Sequence, residues 1–202
     1  MNVQPLLDFD VAYPERLKRW LIFLKWLLII PHAIVLGLLG IGLYVVTIIA
    51  WFAILITGRY PRGMWEFAMM TLRWQARINT YVYLQRDEYP PFGDAPYPIR
   101  FEMAYPDRMS RLLIFVKWLL IIPHWIVLYI LGMAVSVVWI IAWFAILITG
   151  RYPQGMFGFV TGVSRWSYRV LAYLLLLTDA YPPFSLEGSP VPPASIAPRP
   201  SF

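Results

Sequence analysis

The 202 residues carry 14% charged and 60% hydrophobic side chains, with a net charge of +6 and a mean hydropathy of +0.62. A soluble chain holds about 25% charged and about 45–50% apolar residues, so this composition points to a membrane protein. With no cysteine, disulfides, thiolate catalysis and cysteine-held metals are excluded.

In chain order, Leu7 to Val11 alternates apolar and charged residues, the period of a half-buried strand. Asp8, Asp10 and Glu15 in this opening leave no apolar stretch of the kind a signal peptide has. Arg16, Lys18 and Arg19 then precede an apolar block in which residues 20–57 hold one charge, Lys25. Such a block exceeds the roughly 20 residues that cross a hydrocarbon core and matches two spans folded into a hairpin. The expected hairpin covers about 17–57, with its outer turn at Gly37–Gly42. Thr57-Gly58-Arg59-Tyr60-Pro61 should stop the helix, because glycine and proline end helices. Residues 63–84 read as an amphipathic helix lying in the membrane interface, with Arg73, Arg77 and Tyr81 on one face and Trp74 beside them. Tyr89-Pro90-Pro91-Phe92 closes the unit.

The same unit then returns at a constant offset of 92 residues. Of the 80 aligned positions in 13–92 and 105–184, 49 are identical without a gap. Repeat unit 1 is taken as 1–92 and repeat unit 2 as 93–184, followed by a Pro-rich tail at 185–202. In unit 2 the hairpin is expected over about 109–149 with a turn near Leu131–Ala134, and the amphipathic helix over about 155–177 with Arg165, Arg169 and Tyr173 on one face. The strand-like segments at 7–11 and 99–103 occupy equivalent places and are expected to pair. Two units with the same basic flanks should insert in the same orientation, so each should cross an even number of times. The fold class expected is an all-α integral membrane protein. It is a tandem, parallel repeat of two helical hairpins with interfacial amphipathic helices and a small cytoplasmic two-strand element. A re-entrant hairpin, or a long tilted helix after Pro31, stays open as an alternative.

His32 and His124, the only histidines, each follow a proline within an apolar block. One reading makes them ligands of a haem or a chlorin pigment; the plainer one has the imidazole satisfying a backbone carbonyl freed by Pro31 or Pro123. Lys25 and Lys117 sit seven residues earlier on the same helical face; they either form a polar stripe with the histidines, lining a path or contacting a lipid phosphate, or snorkel to the headgroups. Arg59, Arg73, Arg77, Arg151, Arg165 and Arg169 are the other candidates for lipid headgroups. All eleven acidic residues lie outside the apolar blocks, and no nucleotide loop or nucleophile set is present, so no enzymatic activity is expected. The basic residues flank apolar blocks as membrane anchors do, which argues against nucleic acid.

The motifs YPxRxxR, KWLLxIPH, WFAxLxTGRYP and the closing YPPF resemble a family of duplicated bacterial membrane proteins, domain-of-unknown-function family 4389. That resemblance covers 13–92 and 105–184 and implies a bacterial plasma membrane, but no activity. The function expected is a non-enzymatic accessory or scaffold subunit of a larger complex in the cytoplasmic membrane, multi-pass, with both termini cytoplasmic. Its partners would be membrane lipids and other subunits. The alternatives are an anionic-lipid-binding or membrane-shaping protein, and a transporter or pigment carrier using the histidine pair.

Overall fold

The computed structural model describes residues 6–93 and 95–188. Each repeat contributes a strand, a short helix, a long apolar helix and a third helix. Unit 1 has β1 (Asp8–Val11), a 3-10 turn at Leu21–Phe23, α1 (Lys25–Leu28), α2 (Ile30–Thr57) and α3 (Arg62–Val82). Unit 2 has β2 (Ile99–Glu102), α4 (Leu113–Leu120), α5 (Ile122–Thr149) and α6 (Gln154–Leu174).

The expected hairpins at 17–57 and 109–149 are not formed. α2 runs unbroken for 28 residues through Gly37, Gly40 and Gly42, and α5 does the same through Leu131–Ala134. At a rise of about 1.5 Å per residue each helix is about 42 Å long. A backbone in an apolar setting satisfies its polar groups only by staying helical, and glycines there do not suffice to break it. Gly42 serves packing instead, since a Cβ at that position would stand 3.2 Å from Phe67 Cζ. The break falls earlier, between α1 and α2, where Pro31 has no N–H to donate one turn back.

The chain does fold back, but at the Thr-Gly-Arg-Tyr-Pro motif. Gly58 adopts φ +69° and ends α2 with its N–H bonded to Ile54 O at 2.7 Å, and Gly150 repeats this at φ +71°. Glycine alone takes that left-handed position without a Cβ penalty. α3 then returns along α2, so that Trp74 meets His32 and Phe67 meets Gly42. The returning arm is therefore the amphipathic helix.

That helix is internal, which corrects the interfacial helices expected at 63–84 and 155–177. From Phe67 to Tyr81 no residue of α3 is exposed, and α6 is likewise covered from Phe159 to Leu174. The two pack against each other in opposite directions: Trp65 Nε1 donates to Leu177 O, Asn79 Nδ2 to Tyr168 Oη, and Gln85 Nε2 to Thr161 Oγ1. The repeats are thus related by a pseudo-twofold perpendicular to the helices, and α2 and α5 run antiparallel.

The expected strand pair is present. β1 and β2 are antiparallel with Phe9 opposite Phe101 and Asp10 opposite Arg100. Both phenylalanines pack on Tyr168 of α6, and Arg73 of α3 donates to Phe101 O, so the sheet lies over the mid-length of the α3–α6 pair. The strands are exchanged: β1 of unit 1 packs mainly on α6 of unit 2. Backbone bonds lock the two units at both ends, from Leu17 N to Gly150 O and from Met109 N to Gly58 O, each 2.9 Å.

Tyr60 and Tyr152 beside these locks are fully buried, and their hydroxyls have no hydrogen-bond partner among the described residues. Burial pushes both phenols well above their ordinary pKa. Tyr60→Phe removes a group that lost its water on folding without gaining a bond. We expect it to leave stability unchanged or raise it by about 1 kcal/mol, read from thermal unfolding in detergent. A clear loss would show that the hydroxyl is satisfied in solution.

Candidate functional site

Two polar nodes recur in each repeat where the break between the short and long helices meets the end of the third helix. The first is built on the histidine. Trp74 Nε1–H donates to His32 Nδ1 at 3.1 Å, and Trp166 to His124 at 3.0 Å. Phe92 stacks on His32 with centroids 4.0 Å apart and planes 11° off parallel, and Phe184 covers His124 at 3.9 Å and 16°. The Tyr-Pro-Pro-Phe motif exists to build this cap. Its tyrosine also bonds back, from Tyr89 Oη to Leu28 O at 3.2 Å and from Tyr181 Oη to Leu120 O at 3.3 Å. A carbonyl at the helix break is therefore met by tyrosine, and not by histidine as the sequence suggested.

The hydrogen bond assigns the tautomer. Indole N–H only donates, so Nδ1 must be the bare nitrogen and the proton sits on Nε2. A haem or chlorin ligand needs the reverse: a lone pair on Nε2, with Nδ1–H held by an acceptor. His32 and His124 do not fit the cofactor reading. Both are fully buried, and Nε2 has no partner among the described residues. Nor is any group of three His, Asp or Glu placed to hold a metal ion among those residues.

The second node buries the lysine. Lys25 Nζ lies 3.0 Å from Asp87 Oδ1, donates to Arg86 O at 2.6 Å and stands 4.7 Å over the Tyr81 ring. Lys117 repeats this with Asp179 at 2.7 Å, Thr178 O at 2.8 Å and Tyr173 at 4.8 Å. Tyr81 is pushed up to about 12, first by burial and then by the Asp87 and Tyr89 charges, so it stays a neutral π face. Neither lysine reaches headgroups, which corrects that expectation; each is almost wholly buried. Asp87 Oδ2 also accepts from Lys18 N, and Asp179 Oδ2 from Ser110 N, so one carboxylate pins the entry segment of its own repeat. The aspartates were missed because they lie 62 residues after their lysines. The signal was present in their recurrence at the 92-residue offset.

The arginines of the third helices also turn inward. Arg77 Nη1 donates to Gly93 O at 2.6 Å and Arg73 Nε to Phe101 O at 3.5 Å. Arg165 binds Phe9 O, Leu186 O and Asp10 Oδ1, and Arg169 binds Leu7 O and Glu187 O. Their job is to hold strands and the segment after Tyr-Pro-Pro-Phe, so a headgroup role does not fit them. Of the tail, residues 185–188 are placed this way, and 189–202 lie outside the described residues. Arg59 and Arg151 differ, being exposed at the ends of α2 and α5.

The family described as a domain of unknown function, DUF4389, matches twice, over residues 19–93 and 111–185. The chain belongs to that family. The two matches coincide with the two copies of the histidine and lysine nodes, so the family's unit contains one of each. No curated protein and no solved structure matches the chain. Two segments, Ile30–Thr57 and Leu113–Thr149, are long and apolar enough to cross a membrane.

Proposed function

We propose that the protein is a non-enzymatic accessory or scaffold subunit of the bacterial cytoplasmic membrane, with its long helices lying along the bilayer and not across it. The observation that supports this is where the exposed charges fall. Arg100 and Asp10 are about half exposed and sit over the mid-length of α3 and α6. Were the helices to cross, those charges would stand at the bilayer centre, at a cost of roughly 2.5–3.5 kcal/mol or more each. Lying flat, the molecule keeps the sheet in water while Ile34, Ile41, Ile56 and their copies in α5 meet lipid. A scaffold is favoured over an enzyme because the buried cations and imidazoles are engaged in holding segments together. On this reading both chain termini and both basic flanks face the cytoplasm, which agrees with the bias of arginine toward that side.

Glu15 and Asp107 test the seat, because they are equivalent residues near opposite locks of the antiparallel α3–α6 pair. The chain has no native thiol to confuse labelling. With Glu15→Cys and Asp107→Cys, an impermeant maleimide should miss both in intact cells and label both after lysis. Labelling of one and protection of the other would mean that the helices cross, and the seat would be wrong. The scaffold role predicts companion proteins after extraction in mild detergent. Recovery of a monodisperse monomer alone from native membranes would count against it.

A further inference from the structure

Two clefts of the same design remain, one at each end of the helix row. The first, about 690 Å³, brings Arg59 at the end of α2 together with Arg108 and Arg111 of the other repeat. The second, about 380 Å³, brings Arg151 at the end of α5 together with Arg16 and Arg19. These residues correspond one for one at the 92-residue offset. Each cleft exists only because the units interlock, through Met109 N to Gly58 O and Leu17 N to Gly150 O. Among the described residues no aspartate or glutamate lines either one.

Left-handed glycine shapes both. A Cβ on Gly58 would stand 3.4 Å from Arg111 Nε, and one on Gly150 would stand 3.5 Å from Arg19 Nε, so each guanidinium lies against bare backbone. Helix-end dipoles favour a cation there, but only about half a charge is offered, against Arg59 and Arg111 in the first cleft and Arg16, Arg19 and Arg151 in the second. A multiply hydrogen-bonding anion completes the set, and the guanidinium fork matches phosphate oxygens in pairs. Each cleft also adjoins exposed apolar side chains: Leu112 and Ile56 beside the first, Trp20 and Ile148 beside the second. A soluble phosphate has no use for that border, whereas a phospholipid has chains to lay on it.

We propose that each cleft binds the phosphate group of an anionic lipid headgroup. This rests on the membrane seat proposed above, which brings both clefts to one depth in one leaflet. Two variants test it, Arg59→Gln with Arg111→Gln, and Arg19→Gln with Arg151→Gln. Arg62→Gln serves as the control, since Arg62 is exposed and paired with Glu66 outside the clefts. Binding is read by flotation with phosphatidylcholine vesicles, with and without a minor fraction of phosphatidylglycerol.

The wild-type should bind the anionic vesicles more tightly. Each double variant should lose on the order of 30-fold of that affinity, about fivefold per basic group at an anionic surface. Arg62→Gln should retain the wild-type affinity to within about twofold. Circular dichroism and unfolding midpoints should match the wild-type for all three. Equal binding to both vesicle types, or equal loss in Arg62→Gln, would overturn the proposal in favour of no site or a diffuse charge effect. Arginine-dependent binding of inorganic phosphate that displaces the vesicles would overturn the lipid source. If the wild-type binds neither vesicle type, the membrane seat itself has failed. If wild-type and variants bind phosphatidylcholine alike with no anionic preference, the seat stands and only the clefts fail.

Discussion

Lys117→Met is expected to destabilise the protein by about 3–5 kcal/mol, because it leaves the Asp179 carboxylate buried with its cation removed. The loss is larger than that of an exposed pair, which typically contributes about 1 kcal/mol or less. Asp179 is mostly out of water, and Lys117 also gives its bond to Thr178 O and its contact with the Tyr173 ring. For a chain of this size that corresponds to a fall of roughly 10 °C in the unfolding midpoint. Lys117→Met combined with Asp179→Leu should recover much of it, since removing both partners leaves no orphaned charge. Recovery should stay incomplete, because Ser110 N loses its acceptor. The measurement is thermal unfolding in mild detergent. A single-variant shift below about 2 °C would mean the lysine lies at the surface, as a snorkelling side chain would.

What the sequence revealed followed from how local each signal was. The duplication, the strand alternation at 8–11 and 99–102 and the helix stops at Gly58 and Gly150 depend on neighbours in the chain, and they appear as expected. The glycines at 37, 40 and 42 misled because glycine marks turns in water, while Gly42 here lets Phe67 approach. The repeat argued for an even number of crossings per unit, through a turn inside the apolar block; the arm that returns in the structure is α3, after Gly58, and not the second half of that block. α3 misled by its moment: its arginine face, Arg73 and Arg77, looks outward on a helical wheel but is covered by β2 and the segment at Gly93. No local pattern distinguishes a polar face that meets phosphates from one that meets backbone carbonyls. For the same reason the arginine clefts were only half visible. Arg59 and Arg151 were marked, but their partners at 108, 111, 16 and 19 come from the other repeat and looked like simple flanks.

The histidine node carries the second large effect. His124→Leu removes the acceptor of the Trp166 N–H inside a closed pocket, at about 1–3 kcal/mol for the orphaned donor. It also forfeits the stack on Phe184, about 0.5–1.5 kcal/mol more. Trp166→Phe leaves Nδ1 without its donor and opens space beside the ring, so it too should destabilise. If the bond is what matters, the two losses should not add. His124→Leu with Trp166→Phe should cost less than their sum by about 1–2 kcal/mol, the coupling of a shared pair. Strict additivity would show that both residues act by packing alone. The chemical state has its own readout, because nitrogen-15 shifts separate the two tautomers. Protonated Nε2 with bare Nδ1 is expected on both His32 and His124, since each accepts from a tryptophan. A proton found on Nδ1 would break the assigned bond and return Nε2 to the pool of possible ligands.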